Sequence, residues 1–166
     1  MTKLAIRPIL TSFVLVSALG LLTAMAPAHA RDKVGVINTT WDEVAIKGYD
    51  AVAYFTMGEA VKGSEEFSHE WLEAKWIFAN AEHQNLFAGN PLKYVPQYGG
   101  YCADATYTKN KADINPTAWR IVNDRLYIFY SEKSAKKWAT DKYAIKKADA
   151  VWERVKKGLV KKGLAQ

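Results

Sequence analysis

One cysteine and three histidines supply the side chains with the most specific chemistry in this sequence of 166 residues. The cysteine, Cys102, follows two glycines in the segment GGYCA. A single thiol cannot form a disulfide within its own chain, and an exposed thiol in an oxidising compartment is prone to oxidation or to pairing with another chain. We therefore expect Cys102 to be buried, bound to a metal ion or used in redox chemistry.

Two of the histidines could join this thiolate in a metal site. A thiolate is a soft ligand suited to Cu(I) or Zn(II), and neutral imidazole is a common metal ligand. His83 stands three residues after Asn80, a predicted helix N-cap, and a helix N-terminus disfavours an added positive charge. A surface position without a role is the equally weighted alternative for His83. His69 falls on a predicted strand, where a half-exposed histidine with one hydrogen bond is the simpler interpretation.

Other polar and soft side chains near these motifs have simpler structural interpretations. Met57 could supply a thioether ligand for Cu(I), but a position in the core is the simpler interpretation. Asp50 and Asp104 flank the same motifs and are equally well explained as turn residues. Interior packing is the expected role of the tyrosines that surround the thiol in sequence, Tyr94, Tyr98 and Tyr101.

Motifs for other chemistries are missing from the sequence. It has no Gly-rich phosphate loop, no His-Glu-x-x-His and no Gly-x-Ser-x-Gly, and one cysteine cannot form a Cys-x-x-Cys pair. Three functions stay open: metal binding through Cys102 with help from His83 and His69, thiol redox chemistry at Cys102, and a non-catalytic structural or partner-binding module. We favour a non-enzymatic function.

The first thirty residues predict export. Lys3 and Arg7 precede an apolar run over residues 9–25, and the tripeptide AHA at 28–30 is the small-x-small pattern that signal peptidase cuts. Polar residues and a proline interrupt the apolar run, which makes an uncleaved membrane anchor the weaker alternative. We expect cleavage after Ala30, a periplasmic or secreted protein, and no membrane span after cleavage.

The remaining chain is expected to form one domain over residues 31–160, followed by a basic tail at 161–166. Its length suffices for a core without disulfides. The formal net charge of the full chain is +6, and part of the surplus lies in the lysines near the C-terminus. Because aromatic and basic residues are not interleaved there, we expect a solvated helix end and no nucleic-acid partner.

Hydrophobic patterning predicts an α+β fold of small antiparallel hairpins with short helices and a C-terminal helical segment, because strands and helices follow one another without a βαβ alternation. The predicted strands are 66–71, 75–78, 120–122 and 125–130. Predicted helical segments are 81–89, 91–94, 117–119, 131–140 and 145–160, and residues 51–55 are compatible with a helix or a strand.

Longer motifs are similar to those of a known family. The stretch EFSHEWLEAKWIFANAEHQNLFAGNPLKYVPQYGGYCA, with GYDAVAYF before it and DINPTAWRIVNDRLYIFYS after it, resembles the YHS domain family. The chain is most similar to the secreted branch, the YHS domain-containing (seleno)proteins. The resemblance covers about residues 42–155. It implies a small α+β domain related to the metal-sensing and metal-trafficking domains of the TRASH group.

The resemblance also implies where the chemistry lies. In many YHS domains the second strand ends in Phe-Cys and a further Cys follows four residues on, whereas here these positions hold Phe78, Ala79 and His83. The secreted branch instead keeps a cysteine, or selenocysteine in some members, at the position of Cys102. The resemblance therefore implies thiolate chemistry at Cys102, either redox or soft-metal ligation. Its implied partners are a copper or zinc ion and a periplasmic metal-handling or thiol protein.

Overall fold

The computed structural model describes residues 36–108 and 112–161. The predicted signal segment at 1–30 and nearly all of the predicted tail at 161–166 lie outside these residues. The described part has the predicted α+β fold, with two antiparallel sheets of two strands each and six helices. The strands are β1 (Ser64–Trp71), β2 (Ala74–Phe78), β3 (Asn115–Val122) and β4 (Arg125–Phe129). The helices are α1 (Ala53–Thr56), α2 (Ala81–Gly89), α3 (Pro91–Tyr94), α4 (Ala103–Thr106), α5 (Glu132–Thr140) and α6 (Ala144–Lys161).

Both predicted hairpins are present, and each is closed by two residues with left-handed backbone. Leu72 and Glu73 join β1 to β2 with φ of 50° and 56°, and Asn123 and Asp124 join β3 to β4 with φ of 51° and 56°. Two successive positive φ angles give a turn whose twist matches that of the strands. Asn and Asp adopt this conformation readily, so the second hairpin had the clearer signal in sequence.

The predicted helical turn at 117–119 is wrong, because these residues belong to β3. Pro116 and Ala118 are buried, while Asn115 and Thr117, which alternate with them along the chain, are exposed. This alternation is that of a strand with one face on the core. Pro116 lies at the start of the strand, where the missing amide of a proline is tolerated.

Side-chain caps start two of the helices as predicted. The Asn80 Oδ1 atom accepts a hydrogen bond of 2.9 Å from the backbone N–H of His83 at the start of α2. The Ser131 Oγ atom accepts one of 3.2 Å from Ser134 at the start of α5. Each cap satisfies one of the amides that lack a partner within their own helix.

An apolar stripe of the last helix faces the core. Ala148 and Val151 are buried on α6, and Trp152 is half-buried beside them. The Tyr98 hydroxyl donates a 3.0 Å hydrogen bond to the Asp149 carboxylate and ties α6 to the segment before α4. Within residues 36–108 and 112–161, no helix is long and apolar enough to span a bilayer.

The two glycines before the cysteine allow a close backbone approach. Gly99 has φ of 64°, and a Cβ atom there would lie 1.7 Å from the carbonyl oxygen of Val36. The Gly99 carbonyl accepts a 2.7 Å hydrogen bond from the Asn38 amide, and the Asn38 side chain donates to the Gly100 carbonyl at 3.1 Å. Only a residue without a Cβ fits at Gly99, and the resulting bend leads directly into Cys102.

Candidate functional site

Cys102 lies at the start of α4, where three segments of the chain meet. Its side chain is buried, with 2% of the residue exposed, and its Sγ atom accepts a 3.2 Å hydrogen bond from the Tyr130 N–H. Its own N–H donates to the Ala112 carbonyl at 3.3 Å, and its carbonyl accepts from the Thr106 N–H and hydroxyl, each at 3.0 Å. The first of the three expectations for this thiol, burial, is therefore confirmed.

His83 lies on the first turn of α2 with both ring nitrogens in contact with side chains. Its Nδ1 atom is 2.6 Å from Asp50 Oδ2, and its Nε2 atom is 3.1 Å from Thr56 Oγ1. The residue is only 6% exposed, so the alternative that placed His83 at the surface is wrong. A carboxylate only accepts hydrogen bonds, so Nδ1 carries the proton that is donated to Asp50.

Asp50 is fully buried and holds three elements together through its two oxygens. Oδ1 accepts hydrogen bonds from the N–H groups of Val52 and Ala53 at 2.8 and 3.2 Å, at the start of α1. Oδ2 accepts from the Ala79 N–H at 2.9 Å and from the His83 ring at 2.6 Å. Four donors to one carboxylate compensate the loss of its hydration and fix the imidazole plane.

This role of Asp50 was not expected from the sequence, in which a turn residue was an equally good explanation. An aspartate directly before the apolar segment at 51–55 is compatible with an N-terminal cap of a helix, and that signal could have located its contacts to α1. The pairing with His83 joins residues 33 positions apart, and local sequence patterns do not report such a contact.

Helix α1 is fixed on its other side by Tyr54. The Tyr54 hydroxyl donates a 3.0 Å hydrogen bond to the carbonyl of Pro116 in β3, and its ring contacts Trp119 edge-on. Burial raises the pKa of the Tyr54 hydroxyl well above its usual range, and the nearby Tyr49 and Asp50 raise it further. The hydroxyl thus stays a donor, and α1 is held against the second hairpin.

Thr56 has one hydroxyl proton and two acceptors for it. Its Oγ1 atom lies 3.2 Å from the Val52 carbonyl oxygen and 3.1 Å from His83 Nε2. With the Nδ1 proton donated to Asp50, the Nε2 atom of neutral His83 carries a lone pair. When Thr56 donates to Val52 instead, that lone pair is available to another acid, either a proton or a metal ion.

The order carboxylate, imidazole and hydroxyl also occurs in nucleophilic catalysis. That chemistry needs preorganised donors for the oxyanion of the tetrahedral intermediate as well. The two neighbours of the Thr56 hydroxyl, the Val52 carbonyl and the Nε2 lone pair, are both acceptors. Neither of these two contacts supplies such a donor.

His69 lies on β1, in register with Trp76 of β2, and is half-exposed. Its ring is 6.0 Å from that of Phe87, at an interplanar angle of 68°. Phe87 is on α2, one turn after His83. His69 therefore packs against the helix that carries His83, but each histidine has its own contacts.

The structure does not join the three predicted ligands by a direct contact. Among the residues it describes, no hydrogen bond or ring contact links Cys102, His83 and His69 to one another. In the same residues, no group of three or more His, Cys, Asp and Glu side chains is arranged to hold a metal ion. The fold does bring together Asp50, His83 and Thr56, whose side chains are joined through the two ring nitrogens of His83.

Comparison with known proteins finds no relative of this chain. No family model, no curated protein and no solved structure matches the chain.

Proposed function

We propose that this chain is an exported YHS-like protein that binds a soft or borderline metal ion, Cu(I) or Zn(II), in metal trafficking or sensing. His83 is the donor on which the proposal depends. The observation that carries it is the 2.6 Å contact between His83 Nδ1 and the fully buried Asp50 carboxylate. Metal-binding histidines nearly always donate their second ring N–H to a carboxylate, a carbonyl or water, which fixes the tautomer and makes the other nitrogen more basic.

An ion can reach His83 Nε2 through Thr56. Thr56 is exposed, its Oγ1 atom lies 3.1 Å from His83 Nε2, and its hydroxyl has the Val52 carbonyl as a second acceptor. Moving this side chain aside therefore exposes the lone pair without leaving a buried hydroxyl unpaired. A site with few protein ligands and an opening to solvent is suited to transfer of an ion, because a closed four-ligand site holds its metal.

A metal titration of the purified chain tests the proposal. We expect the wild type to bind one equivalent of Cu(I) or Zn(II) in competition with a chromogenic chelator. His83→Gln should lower the affinity at least about tenfold, because the amide lacks a basic ring nitrogen. His69→Gln tests in the same way whether His69 is a further ligand, and circular dichroism checks that each variant is folded.

The result with Cys102→Ser decides whether the thiolate is a second ligand. Cys102 and His69 stay predicted ligands, because the described contacts do not connect them to His83. A wild-type protein that retains neither ion would refute metal binding. Retention by His83→Gln with wild-type affinity would refute this site.

Thiol redox chemistry at Cys102 is the second candidate function. The observation that favours it is the Tyr130 N–H donated to Sγ, since a hydrogen bond to sulfur stabilises a thiolate more than a thiol. Its 2% exposure opposes it, because an oxidant or a partner disulfide must contact the sulfur. The partner-binding module stays the third possibility and requires neither metal nor a reactive thiol.

A further inference from the structure

We propose that the face formed by α5, the turn after it and the start of α6 binds the surface of an anionic phospholipid membrane. Between residues 133 and 147 the chain has six lysines and one carboxylate, Asp141. The six lysines are all exposed and are called the lysine face below: Lys133, Lys136, Lys137, Lys142, Lys146 and Lys147. Six lysines against two carboxylates, Asp141 and the neighbouring Asp104 of α4, leave this face a formal charge of +4. The inference is independent of the proposed metal function.

Contacts to Tyr107 join the two helices into one surface. The Nζ atoms of Lys137 on α5 and Lys147 on α6 lie 5.9 and 5.7 Å from the centre of the Tyr107 ring. Lys133 lies one helical turn before Lys137 and therefore shares its side of α5. The Lys147 N–H donates a 2.9 Å hydrogen bond to the Tyr143 carbonyl, so Tyr143 lies one turn before Lys147. Positive groups of both helices and an aromatic ring thus belong to one continuous face.

Most of this positive charge has no counter-charge within the protein. Lys137 lies 3.2 Å from Asp104 Oδ2, and Lys147 lies 2.7 Å from Asp141 Oδ2. Within residues 36–108 and 112–161, the other four lysines of the face form no ion pair: Lys133, Lys136, Lys142 and Lys146. Exposed charges of one sign that are not balanced locally attract an outside partner of the opposite sign.

The spread of these lysines over two helices suits a layer of lipid headgroups. Lysine side chains are long and flexible, and a fluid layer of phosphates can meet each ammonium group without a fixed pairing geometry. Each lysine near such a surface strengthens binding by about fivefold. Tyr143 lies within the face and is 52% exposed, with the Lys142 Nζ atom 5.0 Å from its ring centre. A tyrosine, with its apolar ring and polar hydroxyl, is typical of the membrane–water interface.

A second copy of the chain is the alternative partner for this face. Residues 64–78, which form the first hairpin, contain four glutamates and one lysine. Strand β1 of this hairpin packs on α2, whereas α5 and α6 pack on α4. A contact between the hairpin of one copy and the lysine face of the next would be head-to-tail, and such contacts grow into filaments unless they close into a ring. A membrane covers the lysine face without requiring a second protein surface.

Cosedimentation with vesicles tests the proposal. The purified chain should bind vesicles of equal parts phosphatidylglycerol and phosphatidylcholine. Binding should be at least about tenfold weaker on phosphatidylcholine alone, and also in about 1 M NaCl, where the Debye length is about 3 Å.

Two double variants with the same loss of charge locate the binding face. Lys136→Gln/Lys146→Gln should bind the mixed vesicles at least about tenfold more weakly, because two lysines contribute about fivefold each. Neither side chain is hydrogen-bonded to a described residue, so we expect the variant to fold, and circular dichroism checks this. The control Lys62→Gln/Lys93→Gln removes two exposed lysines outside α5 and α6 and should bind within about twofold of wild type. All variants keep the same first thirty residues, so any contribution of that apolar segment is equal.

Paramagnetic lipids report which face meets the membrane. In bicelles of the same two lipids with a gadolinium-chelating lipid added, the amide signals of residues 133–147 should broaden more than those of residues 64–78.

Four outcomes would overturn the proposal. They are equal binding by the two double variants, equal affinity for the two lipid compositions, stronger broadening of residues 64–78 than of 133–147, and self-association without a preference for anionic vesicles. If sedimentation velocity shows self-association that Lys136→Gln/Lys146→Gln abolishes, the partner of the lysine face is a second copy of the chain.

Discussion

Replacing Asp50 by asparagine should reverse the tautomer of His83 and remove the Nε2 lone pair that we propose binds the ion. Asparagine has nearly the same shape, but its amide nitrogen is a donor where Oδ2 of Asp50 is an acceptor. The Nδ1 atom of His83 can then accept a hydrogen bond from this amide, and the ring carries its proton on Nε2. That proton is then donated to Thr56, which in turn donates to the Val52 carbonyl. The side chains at positions 50, 83 and 56 are then still hydrogen-bonded to one another, but the protonated Nε2 atom can no longer bind an ion.

The loss of stability follows from the four hydrogen bonds to the carboxylate. Val52 and Ala53 keep an oxygen acceptor, whereas the Ala79 N–H loses its partner. An orphaned buried donor costs about 1–3 kcal/mol, and exchange of a charge-assisted bond for a neutral one costs about 1 kcal/mol more. The free energy of unfolding should fall by about 2–4 kcal/mol, which leaves a typical domain folded.

Two measurements on Asp50→Asn check this reasoning. Urea unfolding followed by tryptophan fluorescence gives the stability, and long-range ¹H–¹⁵N spectra of the imidazole report which ring nitrogen carries the proton. We expect the Nε2–H tautomer and about 10–100-fold weaker metal binding. Asp113→Asn is the control, because Asp113 pairs with Lys47 at the surface and should change stability by less than about 1 kcal/mol. An unchanged Nδ1–H tautomer would refute the argument, and so would an unfolding free energy within about 0.5 kcal/mol of wild type.

Three further predictions concern the segment around the thiol. Gly99→Ala should lower the free energy of unfolding, measured in urea, by more than about 3 kcal/mol, because the added Cβ atom has no space. The control Gly89→Ala, which has open space around the new Cβ atom, should change the free energy of unfolding by less than about 1 kcal/mol. Tyr98→Phe should cost about 1 kcal/mol at neutral pH through its bond to Asp149. Burial, and then Asp149, raises the pKa of the Tyr98 hydroxyl. The hydroxyl therefore contributes its full stability below about pH 10, and this contribution is lost as the pH rises above that value. Tyr98→Phe should therefore lose less stability than wild type in alkaline urea titrations. Cys102 should react with a thiol reagent only as the protein unfolds, with the same urea midpoint as fluorescence, and rapid labelling of the native state at neutral pH would instead favour redox chemistry.

The local elements of this fold could be predicted because their signals are local. Asn80 and Ser131 start helices through hydrogen bonds that reach only three residues along the chain. Asn123 and Asp124 suit the positive φ angles of their turn. The error at 117–119 has an equally local cause, since Pro116 is compatible with both a helix start and a strand start, and only the pairing with β4 decides.

The candidate site was harder to predict because its parts are distant in sequence. Cys102 and His83 were recognised by residue type, but residue type does not reveal their neighbours. Asp50 meets His83 across 33 positions, and the Tyr130 N–H meets the sulfur across 28. Met57 was assigned to the core because it is apolar, yet α1 ends at Thr56 and leaves it exposed. Burial and contact depend on how α1 packs, which periodicity alone does not determine.

One carboxylate links the stability of the fold to the chemistry of the histidine. Asp50 closes the start of α1, accepts from the residue after β2 and orients a ring on α2. Each element alone could shift relative to the others. A shift that leaves the buried Asp50 carboxylate without hydrogen-bond donors, however, is strongly disfavoured inside the protein. The Nε2 atom of His83 is therefore fixed by the same bonds that assemble the first hairpin with its helices. In the proposed metal function this donor is already oriented, and only the exposed Thr56 side chain has to move.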